Sequence, residues 1–166
     1  MQLNFMIVLA SALIPIFVGF IWYNPKVFGN AWMKETGITM NDAKGMNMGV
    51  LFGLSLLFAV MLSISMMPMV IHQMSFDSVF MNDAGIKDPN SEVSLYMKNF
   101  HDLYDDRFRT FKHGVLHGVL MSLFVALPLI GTNSLYERKT KKYIAITTGY
   151  WAVSLGLMGG IICAFA

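Results

Sequence analysis

Four histidines carry the clearest capacity for chemistry in this chain. His113 and His117 are four apart, so on a helix they advance about 400° and share one face. His72 closes an apolar run that ends on the same side of a membrane. His101 sits on that side too, next to Asp102 and close to Asp105 and Asp106. Neutral imidazoles at this spacing can chelate zinc, copper or iron, and two histidines from facing helices can ligate a haem. His72, His101, His113 and His117 are therefore the candidate metal or haem ligands. The ordinary alternative is a set of interfacial histidines hydrogen-bonded to carboxylates or backbone, with no cofactor, and the sequence alone favours it. No Glu follows His113 in the metalloprotease pattern, and no cysteine motif supports haem attachment.

Other chemistry is poorly represented. Met61, Met66, Met67, Met69, Met74 and Met81 cluster in sequence, and thioethers bind Cu(I), but methionine also fills irregular packing. Cys163 is the single cysteine, so an intramolecular disulfide is excluded. No nucleophile with a paired base, phosphate loop or zinc-finger spacing occurs. The expectation is a protein that is not an enzyme.

The elements that must position these residues follow from charge placement. Residues 1–25, 45–76, 113–136 and 143–166 contain no Asp, Glu, Lys or Arg. Each run exceeds the roughly 20 apolar residues that a helix needs to cross a bilayer core. The fold class expected is an all-α integral membrane protein of one domain over 1–166. Its four transmembrane helices, near 5–23, 48–71, 113–132 and 143–165, should form a compact bundle. Pro15 should kink the first. An ordinary soluble domain, a secreted disulfide scaffold and a nucleic-acid binder are excluded, and a cleaved signal peptide is disfavoured because no Lys or Arg precedes the first run.

The extramembrane segment 73–112 holds turn chemistry at Asp83-Ala84-Gly85 and Asp88-Pro89-Asn90. From Ser91 the positions Val93, Tyr96, Phe100, Tyr104, Phe108 and Phe111 recur every three or four residues among charges. This predicts an amphipathic helix over 91–112 that leads straight into the third span.

Glycines four apart mark three helices: Gly49 and Gly53, Gly114 and Gly118, Gly156 and Gly160. Small residues on one stripe let helix backbones approach closely where lipid removes the hydrophobic drive for pairing. These six are the candidate helix-packing residues, within one chain or between chains. Trp22, Tyr23, Phe28 and Trp32 crowd one connection and read as an interfacial aromatic belt or a docking surface. The first and third connections hold seven bases, Lys26, Lys34, Lys44, Arg138, Lys139, Lys141 and Lys142, against five bases and seven acids in the middle one. The bias puts both termini and segment 73–112 on the outer side.

Four stretches together resemble a bacterial membrane-protein family catalogued as a domain of unknown function, number 1761. They are Trp22-Tyr23 with Pro25 and Phe28-Gly29 through Trp32-Met33; His113-Gly114 with His117-Gly118; Asn133 with Leu135-Tyr136-Glu137; and Gly149-Tyr150-Trp151. The segment between the second and third spans looks longer than expected for that family. The resemblance implies a small four-span protein of the bacterial cytoplasmic membrane and brings no activity or site residues.

The leading functional expectation is a non-enzymatic accessory or structural subunit of a membrane complex, or a self-associating bundle. Its partners would be the lipid bilayer and other membrane subunits or itself, with no nucleic acid. The alternatives are a metal- or haem-binding membrane protein and, third, an oligomeric small transporter. The charge-free spans disfavour the transporter.

Overall fold

The computed structural model describes residues 3–39 and 41–166. The described residues are helical and contain no strand. Four helical stretches are long and apolar enough to cross a membrane: Phe5–Trp22, Met48–Val70, Phe111–Tyr136 and Lys141–Phe165.

The first stretch is two helices, α1 (Phe5–Ser11) and α2 (Ile14–Trp22). Pro15 lacks the N–H that would bond Ser11, and its ring crowds that carbonyl, so the helix breaks one turn earlier. Asn24 then caps a π-helical turn, Pro25–Gly29, which runs into α3 (Asn30–Thr36). Gly37 ends α3 in the left-handed conformation with φ 76°, where a Cβ is disfavoured.

The second long helix, α4 (Met48–Val70), starts at an Asn47 side-chain cap and stops at Ile71, whose φ of −114° and ψ of 92° leave helical space. A short helix, α5 (His72–Phe80), follows at once. The composition of this segment gives turn chemistry but no sign of α5. Two Asx turns then reverse the chain, Asp83 accepting from the Gly85 N–H and Asp88 from the Asn90 N–H. The amphipathic helix α6 is Glu92–Tyr104, capped by Ser91.

The amphipathic helix does not continue to residue 112. It ends at Tyr104, and residues 105–110 form a turn in which Phe108 has φ 63°. The third long helix starts afresh, because the Thr110 hydroxyl accepts from the His113 N–H and caps α7 (Phe111–Met121). A π-helical segment, Ser122–Ala126, joins it to α8 (Leu127–Tyr136). Pro128 in the first turn of α8 supplies no N–H, and the widened turn just before it absorbs the missing bond. This helix runs to Tyr136, beyond the boundary near 132 expected from composition.

The fourth long helix, α9 (Lys141–Phe165), is capped by Thr140 and is the most buried of the long helices. The other three lie along it. Val8, Met66, Met67, Val70, Ile71, Met158, Ile162 and Cys163 make one apolar core at the end where α4 finishes and α7 begins. Within it the hydroxyls of Ser11 and Ser63 touch at 2.6 Å and both reach the Val8 carbonyl, tying α1 to α4. At the opposite end α4 is bare: Val50, Leu54, Leu57 and Phe58 are exposed.

Glycine contacts divide the stripes. A Cβ on Gly114 would lie 2.1 Å from the Gly159 carbonyl oxygen, and one on Gly118 would lie 2.0 Å from that of Leu155. Gly156 lies under Val119 and Val115, and Gly160 receives the Phe111 ring. Gly49 and Gly53 do not act as packing residues within the chain, because a Cβ on Gly53 would meet nothing and one on Gly49 only its own Asn47 cap. The neighbour of this half of α4, α2, meets it through Phe20 on Phe52 and not through the glycines. Gly159, adjacent to the striped Gly160, takes part in a backbone-to-backbone contact with Gly114 instead.

Candidate metal centre

The site begins with the contact between α7 and α9. Gly114 and Gly118 press on α9, and each follows a histidine by one residue. One residue is about 100° of rotation, so His113 and His117 flank that contact on a shared side. Both are partly buried. Backbone-to-backbone packing leaves α7 no freedom to roll, which fixes both imidazoles relative to the core.

His72 arrives from a different element. Ile71 is fully buried and breaks the helix there, so the first residue of α5 emerges beside the start of α7. The His72 and His113 Nε2 atoms are 3.0 Å apart. Ring centroids of His72 lie 5.0 Å from His113 and 4.9 Å from His117, and those of His113 and His117 are 4.4 Å apart. One nitrogen from each of the three rings falls within 4.8 Å of the others. No carboxylate or thiol belongs to the group. His72 is exposed, so one side of the cluster is open.

Phe108 lies over this cluster. Its ring stacks on His113 at 5.2 Å with 22° between the planes and meets His72 edge-on at 6.4 Å. The Arg107 guanidinium lies 5.6 Å from the centre of the Phe108 ring. A non-glycine residue at φ 63° costs about 1–3 kcal/mol, and it persists only where its surroundings over-determine it. Nothing in the sequence around Phe108 signals that conformation; the helical period there points the other way.

His101 does not join the cluster. Its Nε2 is 2.7 Å from Asp77 of α5 and its Nδ1 is 2.8 Å from Asp105. Both ring nitrogens are engaged by carboxylates, so a metal could reach this ring only by displacing one of those contacts. Burial works against the charged ring, but the hydrogen bonds and charges of Asp105 and Asp77 outweigh it and hold its pKa above the ordinary histidine value. The sequence grouping of His101 with the other three fails because α6 is carried away from α7 by the turn at 105–110.

What His101 does is clasp α5 to α6. Phe76 stacks on Phe100 at 3.7 Å with 16° between planes. The Gln73 amide donates toward the carbonyls of Tyr104, Asp105 and Arg107 at 2.7, 3.1 and 2.9 Å, closing the end of α6. At the base of the turn, Arg109 donates to the carbonyls of Cys163 and Ala166 at the end of α9.

At the opposite end Trp22, Tyr23, Phe28 and Trp32 pack inward as well as sideways. The Trp22 indole N–H donates to the Ile146 carbonyl at 3.0 Å, and its ring is 4.5 Å from Phe28. Tyr23 sits between Trp32 and Tyr150, at 5.4 and 5.3 Å. These aromatics fasten α2 and α3 to the start of α9.

Three imidazoles from two elements, open on one side, are of the donor type that would suit a first-row transition metal and not calcium or magnesium, which take oxygen ligands. A haem fits less well. Two axial ligands on one iron stand about 4 Å apart across a flat macrocycle. Here the two closest nitrogens touch at 3.0 Å and the third ring crowds both.

The described residues define a small all-helical protein with four helical stretches long and apolar enough to cross a membrane. The chain belongs to the family described as "Protein of unknown function (DUF1761)", whose model matches residues 6–163. No curated protein and no solved structure matches the chain.

Proposed function

We propose that this chain is an integral membrane protein that binds a transition-metal ion through His72, His113 and His117 at one membrane edge. The observation that carries the reading is the convergence of three imidazole nitrogens within 4.8 Å, from α5 and α7, without a competing carboxylate. An ion at about 2.0–2.1 Å from tetrahedral ligands sets those ligands about 3.4 Å apart, so modest ring movement completes the site. The fourth position is left to water or an exchanging ligand. On this reading the four long apolar helices are spans of a bacterial cytoplasmic membrane, and the excess of bases on the first and third connections favours the outer face for the cluster. Titration of the purified protein with Zn²⁺ against a competing chelating dye tests the reading. One ion per chain, lost when His113→Ala and His117→Ala are combined, supports it; equal uptake by wild type and the double variant contradicts it.

A broader reading goes with it, that of a non-enzymatic subunit of a membrane assembly. It is favoured by the exposed apolar surface of the first half of α4, where Val50, Leu54, Leu57 and Phe58 are exposed and a Cβ on Gly53 would meet open space. Copurification from the native membrane with a stoichiometric partner supports this reading, and a monomer in mild detergent from that source speaks against it.

A further inference from the structure

Phe108 is held in place by its backbone and not by burial. Its φ of 63° lies where a side chain is disfavoured, and 55% of the residue is exposed. Burial of apolar surface therefore does not account for the strain. The turn that carries the residue is pinned at three points. The Phe108 carbonyl accepts from the Thr110 N–H at 2.8 Å and from the Cys163 thiol at 3.3 Å. Just before it, the Arg107 carbonyl accepts from the Gln73 amide at 2.9 Å. Just after it, Arg109 donates to the carbonyls of Cys163 and Ala166. These bonds reach α5, the cap of α7 and the end of α9, and together they over-determine the strained residue. What they fix is the position of one ring. That ring stacks on His113 at 5.2 Å and meets His72 edge-on at 6.4 Å. Among the described residues it makes no ring contact with His117. Phe108 thus stands beside the edge that His72 and His113 form, on the side away from His117.

We infer that Phe108 is a selectivity residue of the tri-histidine site, a shield that makes it take a four-coordinate ion and refuse a six-coordinate one. The inference rests on the metal-binding reading. An imidazole offers its lone pair in the plane of the ring, so a phenyl group stacked on the face of His113 leaves that lone pair free. A tetrahedral ion held by three nitrogens has one further position, and the open side at His72 provides it. An octahedral ion held by the same three nitrogens needs three further positions, one opposite each nitrogen. The position opposite His117 lies over the His72–His113 edge, where the phenyl ring stands. A water there would meet an apolar ring in place of hydrogen-bond partners. Zn²⁺ needs only the first arrangement, whereas Ni²⁺ favours a tetragonal or octahedral one.

The test loads the whole purified chain in detergent with Co²⁺, whose visible absorption is strong in a tetrahedral site and weak in an octahedral one. Bound Co²⁺ is measured on the same samples, and Zn²⁺ and Ni²⁺ are then competed for the site. Phe108→Gly removes the ring and suits the left-handed backbone, so the turn keeps its bonds. Phe108→Leu keeps apolar bulk at the same place. The shield predicts one Co²⁺ per chain, with strong bands in the parent and in Phe108→Leu and weak bands in Phe108→Gly. Zn²⁺ should be preferred to Ni²⁺ in the parent, and that preference should fall about 10-fold or more in Phe108→Gly. Strong bands retained in Phe108→Gly, their loss in both variants alike, or no cobalt at all in Phe108→Gly overturns the shield. One bound ion with weak bands in the parent overturns it as well and leaves the metal site standing. No bound ion in the parent overturns both.

Discussion

The backbone of Gly114 rests on the backbone of Gly159: a Cβ on Gly159 would lie 2.4 Å from the Gly114 carbonyl oxygen, and one on Gly114 2.1 Å from that of Gly159. Both obstacles are main-chain atoms, which cannot rotate out of the way. Gly114→Ala or Gly159→Ala must separate α7 from α9, and overpacking of this kind costs about 1–3 kcal/mol. Gly53→Ala meets open space and should be neutral or mildly stabilising. Unfolding in mixed detergent micelles with increasing dodecyl sulfate ranks the three variants. Equal stability of Gly114→Ala and Gly53→Ala would show that α7 and α9 do not pack this way.

The His101 clasp should be felt as a pH dependence. Asp105 and Asp77 raise the folded-state pKa of this ring over its unfolded value, near 6.5. Its contribution to stability is then fully present below that unfolded value and is lost as pH rises through the folded pKa. Hydrogen exchange of the α6 amides, corrected for intrinsic rate, should show weaker protection at alkaline pH than at pH 6. His101→Gln should flatten that trend, and a trend of unchanged slope in this variant would remove His101 as its source.

Asp102 separates helix formation from ion pairing. Lys98 and Asp102 form an i, i+4 pair at 2.5 Å, but both are well exposed, and exposed pairs contribute at most about 1 kcal/mol. Asp102→Asn should change little. Asp102→Pro removes a backbone donor inside α6 and should cost about 3 kcal/mol. Loss of protection across 92–104 in the proline variant alone is the expected pattern.

Arg109 fastens the turn before α7 to the end of α9, donating to the carbonyls of Cys163 and Ala166. Hydrogen bonds from a charged donor contribute about 1.5–3 kcal/mol, so Arg109→Ala should destabilise by that order. Arg109→Lys should recover only part of it, since an ammonium lacks the planar fork that reaches two carbonyls at once. Thermal denaturation of the three proteins at one detergent concentration checks the order.

The long helices were legible because 22 charges fall outside four long runs, and bilayer thickness leaves little choice of how such runs fold. Of the helix starts, Ser91 was legible as the point where the helical period begins, whereas the caps at Asn47, Thr110 and Thr140 are seen only in the structure. The break at 105–110 was not legible. Val93 to Phe111 keep a helical period across it, and the turn comes from the Thr110 cap and a left-handed Phe108, neither of which periodicity reports. The same break removes His101 from the other histidines. Spacing alone put His113 and His117 on one face, but the meeting with His72 depends on Ile71 ending α4 one residue earlier, a tertiary event. Gly49 and Gly53 match the pattern of Gly114 and Gly118, and sequence gives no means of knowing which stripe finds a neighbour.

X-ray absorption at the zinc edge of the Zn²⁺-loaded protein tests the metal-binding reading most directly, because it reports the ligands themselves. The expected result is three imidazole nitrogens at about 2.0–2.1 Å with one further light scatterer, falling to two imidazoles in His72→Ala. A first shell of oxygen scatterers, a sulfur contribution from Cys163, or a spectrum identical in wild type and His113→Ala would contradict it.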